Sequence, residues 1–288
     1  MDLAAIDIGG TTIKIATWKD GKLQDKHAVN TPKDLNIFYD ILTAEVNKIK
    51  QNTKIKGVAI SSPGAVDQKN GIIGGSSALP YIHNFKIVDE LKKRFELPVS
   101  IENDANSAAL GELAEGAGKG SDSMAFFVIG TGIGGAIIIN QKVWHGAHLF
   151  GGEFGYMSIG TKSVSDLASP VAMANRYNER TGKKLDGKTV FALADEDDPV
   201  ASDVRSTLIH SLAVAIYNIQ HSFDPEKIVL GGGISNNPEL IPLLNKEIDQ
   251  IEANSDLHTL KPVIALCSLK SDANLRGAVA NFEQKHQN

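Results

Sequence analysis

The chain has 288 residues, 42% of them hydrophobic, and a formal net charge of −5 at pH 7. This length suits one large domain or two of ordinary size, and the acidic balance argues against a nucleic-acid partner. Its one cysteine, Cys267, excludes an internal disulfide, disfavours a cysteine-based zinc site and is most simply a small core residue of a protein in a reducing compartment.

The first half is predicted to alternate strands and helices after an opening hairpin. Residues 2–18 read as a strand, a tight turn and a returning strand, and residues 22–29 continue the meander. Apolar spacing then predicts a helix at 34–50, a strand at 55–60, a helix at 85–95, a strand at 97–101 and a helix at 105–115.

The second half is predicted to open in the same way, with strands at 124–130 and 133–140. A glycine-rich loop at 145–161 follows, and then come helices at 166–178, 199–223, 238–251 and 272–284, with strands at 228–230 and 262–267. Alternating strands and helices indicate an α/β architecture, and the matching openings suggest a duplication. The apolar run at the N-terminus has no basic segment before it, and the longest nearly charge-free stretch is too short to span a bilayer. We therefore expect a cytoplasmic protein without a membrane partner.

Both predicted hairpin turns carry residues suited to phosphate binding. Glycines let a backbone approach a phosphate closely, and an acid such as Asp7 can hold a hydrated magnesium ion. A plain hairpin turn explains Gly9 and Gly10 equally well. Neither turn has the P-loop ending, and neither precedes a helix as a dinucleotide fingerprint does. Residues 231–233 do lie between a strand and a helix, where tight packing alone is a sufficient explanation.

Two acids stand in places where a ligand could meet them. Asp104 follows a predicted strand and precedes a predicted helix. By itself it is more simply a helix N-cap than an acid facing a ligand crevice. Glu153 lies in an apolar, glycine-rich loop, where a purely solvated charge is harder to explain.

The order of these motifs decides between the interpretations. The chain contains, in sequence, Asp-Ile-Gly-Gly-Thr-Thr at 7–12, Ser-Pro-Gly at 62–64, Glu-Asn-Asp-Ala-Asn at 102–106, Gly-Thr-Gly-Ile-Gly-Gly at 130–135, Gly-Glu-Phe-Gly at 152–155 and Leu-Gly-Gly-Gly-Ile-Ser at 230–235. In this order it resembles the ROK family of bacterial sugar kinases, repressors and related open reading frames. The resemblance implies a duplicated actin-like, hexokinase-type (ribonuclease H-like) α/β fold with a cleft between two lobes. Residues 1–115 plus 272–288 would form the lobe on the sugar and phosphate side, and residues 116–271 the lobe on the nucleotide side.

The resemblance also implies roles for individual residues. Asp104 would be the general base for the sugar's 6-hydroxyl, and Asp7 would hold magnesium through water. The sugar would be bound by Gly64, Asn103, Asp104, Glu153 and Tyr156. ATP would be bound by Asp7, Gly9, Gly10, Thr11, Thr12, Lys14, Gly130, Thr131, Gly132, Gly232 and Gly233.

Three departures from the family pattern concern the sugar pocket. Tyr156 stands where the family usually has histidine, and residues 157–170 lack the family's zinc-binding cysteines. The usual Asn-Leu of the sugar loop is replaced at 78–81 by Ala-Leu-Pro-Tyr. We therefore expect no structural zinc and a different wall around carbons 1 and 2. Zinc-free members of the family include β-glucoside kinases, which the chain resembles as much as it resembles a glucokinase.

The resemblance thus implies an ATP- and Mg²⁺-dependent kinase for the 6-hydroxyl of glucose or a glucosyl unit, acting on a small-molecule sugar as a homodimer. An N-acetylmannosamine kinase or a fructokinase of the same family is the first alternative. A sugar-responsive repressor is another, but the DNA-binding domain of such repressors precedes the sugar fold, and here the first strand begins at residue 2. A non-catalytic sugar sensor is disfavoured by the retention of Asp104 and the glycine motifs.

Overall fold

The computed structural model describes residues 1–253 and 261–286. The described chain divides into two compact units, which we treat separately. The first contains residues 1–119, 145–150 and the C-terminal segment from residue 271, and the second contains residues 120–144 and 151–270. Residues 145–150, which the sequence placed in the C-terminal lobe, group with the first unit, where His145 donates to the buried carboxylate of Glu102.

The regular elements follow the chain in alternating order. The first half contains β1 (Leu3–Ile8), β2 (Thr12–Lys19), β3 (Lys22–Asn30), α1 (Leu35–Asn52), β4 (Val58–Ser62), β5 (Ala65–Asp67), β6 (Ile72–Gly74), α2 (Ile87–Phe95), β7 (Val99–Asn103) and α3 (Asp104–Glu115). The second half contains β8 (Met124–Ile129), β9 (Ile133–Ile139), β10 (Lys142–Val143), β11 (Ser158–Ile159), β12 (Lys162–Ser163), α4 (Val164–Ala168), α5 (Pro170–Thr181), α6 (Gly187–Leu193), α7 (Pro199–Phe223), β13 (Lys227–Gly231), α8 (Leu240–Ala253), β14 (Ile264–Leu266) and α9 (Ala273–His286).

The first unit is built on a five-stranded sheet in the order β3-β2-β1-β4-β7. The β1–β2–β3 meander is antiparallel, and β4 and β7 are parallel to β1. Successive residues of β1 face opposite sides of the sheet, and both sides are covered. Ala4, Ile6 and Ile8 belong to one hydrophobic cluster with residues of α1 and α2, whereas Leu3 and Ala5 belong to another with residues of α9.

The second unit repeats this arrangement with the order β10-β9-β8-β13-β14. Here β8, β9 and β10 form the antiparallel meander, and β13 and β14 are parallel to β8. Its hydrophobic core packs strand residues such as Phe127 and Leu230 against helix residues such as Leu212 of α7 and Leu244 of α8. The shared topology confirms the predicted duplicated α/β architecture.

Several predicted elements differ in their boundaries. The helix predicted at 166–178 is two helices, because Ser169 caps the second and Pro170, which lacks an N–H, occupies its first turn. The short helix α6, capped by Asp186, was not predicted. The strand predicted at 55–60 begins later, at Val58. Cys267 is half-buried rather than a core residue. None of the helices in the described residues is both long and apolar enough to cross a bilayer.

Candidate active site

Polar residues meet in the first unit at the carboxyl ends of its three parallel strands. Asp7 and Ser61 are each the residue before the last in β1 and β4, and Asn103 ends β7. The strand register pairs Asp7 with Ser61, and it pairs the residue after Ser61 with Asn103. Ligands of α/β sheets are bound at this edge, so the first unit presents its polar side chains where a substrate would meet them.

Asp7 is a buried carboxylate with partners on both oxygens. Its exposed fraction is 6%. Its Oδ1 accepts a hydrogen bond from Ser61 Oγ at 2.9 Å, and its Oδ2 pairs with Lys14 Nζ at 3.2 Å. Lys14 stands directly opposite Asp7 in the β1–β2 hairpin, so the hairpin register creates this ion pair. The Lys14 side chain remains 43% exposed, which leaves its ammonium group accessible to an anion.

The turn after Asp7 is held in a fixed shape. The Gly9 N–H donates to the Thr12 carbonyl at 3.0 Å, and the Thr31 hydroxyl donates to the Gly9 carbonyl at 2.7 Å. A Cβ at Gly9 would lie 2.8 Å from the Thr12 carbonyl oxygen, so a side chain there would disturb the turn. Gly10 and Thr11 are exposed. The turn therefore offers backbone and hydroxyl groups to a ligand without needing to reorganise.

Asn103, rather than Asp104, caps helix α3. The Asn103 side-chain oxygen accepts from the Asn106 N–H at 3.1 Å, while its amide donates to the Gly64 carbonyl and to Asp104 Oδ1, each at 3.0 Å. Asp104 is the first helical residue, and the Ala105 N–H donates to its Oδ1 at 2.9 Å. Because Asn103 is the N-cap of α3, the prediction that Asp104 is only a helix N-cap is wrong.

Burial raises the pKa of the Asp104 carboxyl group. The hydrogen bond from Ala105 opposes this shift, and the nearby negative charge of Asp7 adds to it. A raised pKa makes a carboxylate a stronger proton acceptor than an ordinary surface aspartate. Two acids of the same strand edge thus differ in environment: Asp7 is paired with a cation, and Asp104 is not paired with one among the described residues.

Asn274 lies between the Asp7 carboxylate and the Asp104 backbone carbonyl, and it was not predicted from the sequence. Its side-chain amide lies within hydrogen-bond distance of Asp7 Oδ1 (3.2 Å), Ser61 Oγ (3.3 Å) and the Asp104 carbonyl (3.4 Å). Asn274 is near the start of α9, far from the other residues along the chain. No local sequence signal marks it, because only the packing of α9 brings it to this edge.

Glu102 and His145 form a second unpredicted feature, directly behind Asn103. Glu102 is fully buried, and its Oε1 accepts from the Asn103 N–H at 2.7 Å and from the Asn106 amide at 3.0 Å. Its Oε2 accepts from His145 Nε2 at 2.9 Å and from the Gln68 amide. The hydrogen bond that His145 donates to Glu102 raises the pKa of His145. This carboxylate therefore fixes the start of α3, where Asn103 and Asp104 lie.

The loop beside the strand edge contains Gly64, Ala78 and Tyr81. Gly64 has φ +101°, and a Cβ there would lie 2.7 Å from Ile73 Cγ2. Ala78 lies against the turn, since its Cβ would be 3.0 Å from a Cβ at Gly10. The Tyr81 hydroxyl donates to the Pro32 carbonyl and its ring packs edge-on against Phe38, so Tyr81 is engaged in packing.

In the second unit, the corresponding turn and the triple-glycine loop line one cavity. Gly130, Gly233, Val171 and Phe191 are among the residues around this space of about 640 Å³. The Gly130 N–H donates to the Gly132 carbonyl at 2.9 Å, which closes the turn, and Thr131 is exposed. A volume of this size suits a small-molecule ligand.

Gly232 and Gly233 of the triple-glycine loop differ in whether the packing of the protein itself requires glycine. Gly232 has φ +85°, and a Cβ there would lie 2.1 Å from the Ile129 carbonyl oxygen, so the backbone itself requires glycine. Gly233 has open space at its Cβ position. A requirement for glycine at position 233 would therefore have to come from a ligand.

Glu153 and Tyr156 lie at the two ends of a short 3₁₀ turn in the second unit. Glu153 precedes the turn at Phe154–Tyr156 and is exposed, not enclosed by the apolar loop around it. The Tyr156 side chain is 75% exposed. In the first unit, Phe150 is also exposed, at 63%.

The structure thus brings Asp7, the turn at 9–12, Lys14, Asn103 and Asp104 to one edge of the first unit, with Gly64 bonded to Asn103. It brings Gly130 and Gly233 to one cavity of the second unit. Within the described residues, no group of three or more His, Cys, Asp or Glu side chains is arranged to hold a metal.

Comparison with known proteins identifies the class. The sequence matches the ROK family over residues 3–285, and the chain belongs to this family. Its relatives include a β-glucoside kinase of Klebsiella pneumoniae, 32% identical over 100% of this chain and 98% of the relative.

Two solved structures extend the comparison. A ROK family protein of Streptococcus pneumoniae, solved in complex with sucrose, is 39% identical with a TM-score of 0.90, over 100% of this chain and 99% of that one. A ROK family glucokinase of Streptomyces griseus, solved with glucose and AMPPNP, is 25% identical with a TM-score of 0.80, over 99% of this chain and 100% of that one. The chain has the two-lobed, actin-like fold of hexokinase type found in ROK family kinases.

Proposed function

We propose that this chain is an ATP-dependent kinase that transfers the γ-phosphoryl group of ATP to the 6-hydroxyl of glucose or of a glucosyl unit. The observation that carries the proposal is Asp104, an acid with a raised pKa and without a capping role, beside Asp7 at the ligand edge of a parallel sheet. The kinases among its relatives support the reaction class.

Asp104 is proposed as the general base. The sugar's O6 attacks the γ-phosphorus, the bond from that phosphorus to the bridging oxygen of ADP breaks, and the O6 proton passes to a carboxylate oxygen of Asp104. An aspartate suffices because phosphoryl transfer depends mostly on positioning and charge stabilisation, and the proton leaves a hydroxyl that is already attacking. Asn103, held by Glu102 and by the Gly64 carbonyl, would orient Asp104 and bond a neighbouring sugar hydroxyl.

Asp7, Lys14 and the turn at 9–12 are proposed to receive the transferring phosphate. The exposed ammonium of Lys14 and the amides and hydroxyls of the turn would offset its negative charge. A buried carboxylate such as Asp7 suits magnesium, which usually keeps several waters and is bound through one or two carboxylates and the phosphates of a substrate. Asp7 would hold that ion through water, and the ion would supply charge neutralisation of the phosphates.

The cavity of the second unit is proposed as the site for the rest of ATP. Gly130, Thr131 and Gly132 would bind phosphates through the backbone, and the adenosine would lie against Gly232 and Gly233. Sugar contacts from this unit are proposed for Glu153, near the hydroxyl at carbon 1, and for Tyr156.

The role of Asp104 is tested by Asp104→Asn. The substitution keeps the shape and leaves the Asn103 cap in place, so the melting temperature should change little. We expect kcat to fall at least ~10²-fold, in line with the usual contribution of a general base. In the wild type, the acid limb of the kcat profile should lie above the ordinary aspartate value, since the pKa of Asp104 is raised. Near-wild-type turnover in the variant would refute the assignment.

We further propose that the sugar pocket accepts a substituent at carbon 1. Tyr156 and Phe150 are exposed, and aromatic faces pack well on sugar rings and apolar groups. Tyr81 is not proposed for this contact, since its ring packs against Phe38 and its hydroxyl donates to the Pro32 carbonyl. The sucrose in the Streptococcus pneumoniae structure contains a glucosyl unit substituted at carbon 1, and the Klebsiella pneumoniae relative is a β-glucoside kinase.

A comparison of kcat/KM for glucose, methyl β-glucoside and cellobiose, measured by coupled ADP release, tests this. If the pocket is open, the glycosides should react at least comparably to glucose. If glucose is phosphorylated efficiently and neither glycoside is phosphorylated, the pocket is closed at carbon 1 and the protein is an ordinary glucokinase. Extending the panel to N-acetylmannosamine and fructose tests the alternative substrates, and ADP release with none of the sugars would favour a non-catalytic sensor.

A further inference from the structure

The first unit contains a cavity that the proposed reaction does not use. It has a volume of about 640 Å³ and lies beside β7, one of the two edge strands of the sheet. Its walls come from the turn after β5, from α2, from Leu97 and Pro98, and from the last residues of α9. None of the residues proposed to bind sugar or ATP lines it.

The lining of this cavity is strongly basic although the protein is acidic. Its charged or titratable residues are Asp89 and five basic side chains: Lys69, Lys86, Lys92, Lys285 and His286. The whole chain carries a net charge of −5. None of the four cavity lysines forms an ion pair with a carboxylate in the part of the chain that the structure describes. These lysines therefore form no salt bridge within the described residues, and Asp89 is the one acid in the lining.

The pKa of Lys285 shows that its positive charge is unfavourable in this cavity. Its side chain as a whole is exposed, yet partial desolvation lowers the pKa of its ammonium group. Glu102 opposes this shift, and the positive charge of Lys92 adds to it. An anion bound near Lys92 and Lys285 would favour the charged form of Lys285 and so offset both effects.

We propose that this cavity binds a small molecule that carries a phosphate group. The volume lies in the range of small-molecule sites, and clustered lysine ammonium groups bind phosphate as point charges. Val88, Leu97 and Pro98 provide an apolar wall for a carbon skeleton. The Asn70 amide, which donates one of its two N–H groups to Asp67, provides a neutral hydrogen-bond donor. The proposal does not depend on which sugar the kinase phosphorylates.

One hydrogen bond links the cavity to a residue of β7. Gln68 lines the cavity and donates to Glu102, the carboxylate that accepts from the Asn103 N–H. The occupant would therefore lie next to the strand that leads to Asp104 while remaining separate from the residues proposed for catalysis.

Isothermal titration calorimetry with inorganic pyrophosphate on the full chain, at low ionic strength, tests the proposal. The cavity variant is the double substitution Lys92→Gln, Lys285→Gln. The matched control is Lys54→Gln, Lys93→Gln, which removes the same charge from two exposed lysines outside the cavity, one of them adjacent to Lys92 on α2. A second cavity pair, Lys69→Gln with Lys86→Gln, serves if the first variant does not fold.

We expect wild-type protein and control to bind pyrophosphate with affinities within about twofold of each other. The cavity variant should bind at least ~10-fold more weakly, because two charge-assisted hydrogen bonds are lost. Equal affinity in all three proteins would assign pyrophosphate to another site and overturn the proposal. An equal loss in both double variants, or no binding by the wild type, would also overturn it.

Discussion

The contact between α3 and α9 offers the sharpest test of how the fold supports the site. The two helices cross at Gly111 and Gly277. A Cβ at Gly277 would lie 1.5 Å from the Ser107 carbonyl oxygen and 2.9 Å from the Gly111 nitrogen. Ordinary contact begins at 3.4 Å, and the obstructing atoms are backbone, so no side chain can move aside. Gly277→Ala must therefore push the helices apart.

The magnitude follows from two opposing effects. Overpacking costs about 1–3 kcal/mol, and a backbone obstruction places this case at ~3 kcal/mol or above. Replacing glycine by alanine within a helix returns about 1 kcal/mol. The net loss of about 2 kcal/mol should lower the melting temperature by about 4–8 °C.

The same substitution should also reduce activity. Helix α3 begins at Asp104, and α9 carries Asn274, whose amide lies between Asp7 and Asp104. Separating the helices would displace these groups, and displacements of ~1 Å can cost up to ~10²-fold in rate. We expect kcat to fall about 10-fold or more.

Thermal unfolding and steady-state kinetics should be measured together. Gly74→Ala is the control, because the same change there meets its nearest atom, the Ala65 carbonyl oxygen, at 3.7 Å. Its effect should stay within about 0.5 kcal/mol. If Gly277→Ala melts and turns over like the wild type, the close helix crossing does not hold the site in place.

Three further predictions concern ligands and protons. Gly233→Ala has open space in the protein, so it should leave the melting temperature unchanged but raise KM for ATP if adenosine lies there; an unchanged KM would exclude that contact. The pKa of His145 is raised by Glu102, so its stabilising contribution is complete below about pH 6.5 and is lost as pH rises through the folded-state pKa. His145→Gln should remove this part of the pH dependence of stability. His27, whose pKa is also raised, contributes to the pH dependence in the wild type and in the variant alike. If the stability of the two proteins changed with pH in parallel, this role of His145 would be refuted. Metal analysis should find no stoichiometric zinc, because Cys267 is the only cysteine, and chelators should inhibit only reversibly, with recovery on adding magnesium.

Local sequence patterns were sufficient to predict that the two halves of the chain share one architecture. Glycine pairs between apolar runs mark both hairpins, and the long helix α7 was predicted with the bounds it has. The order of six short motifs indicated the family, which the comparison confirms. These signals are local because turns, amphipathic faces and glycine-rich loops are each encoded within about 20 neighbouring residues.

The partners of the site residues were decided by tertiary structure. Asn274 and Asp7 are 267 positions apart in sequence, and Glu102 and His145 are 43 apart. Nothing near His145 in the sequence indicates that its ring meets a buried carboxylate. Sequence could not decide whether Asn103 or Asp104 caps α3, because asparagine and aspartate are both common N-cap residues. The backbone dihedral angles of the folded chain decide for Asn103.

The sequence by itself thus determined the types of chemical group and the strand ends at which they occur. The tertiary structure decided which groups are buried and what each one bonds, and hence the direction in which the pKa of Asp104 moves. Burial and charge–charge distance are properties of packed elements, and a pattern along one chain cannot specify them until the sheet and α9 bring distant residues together.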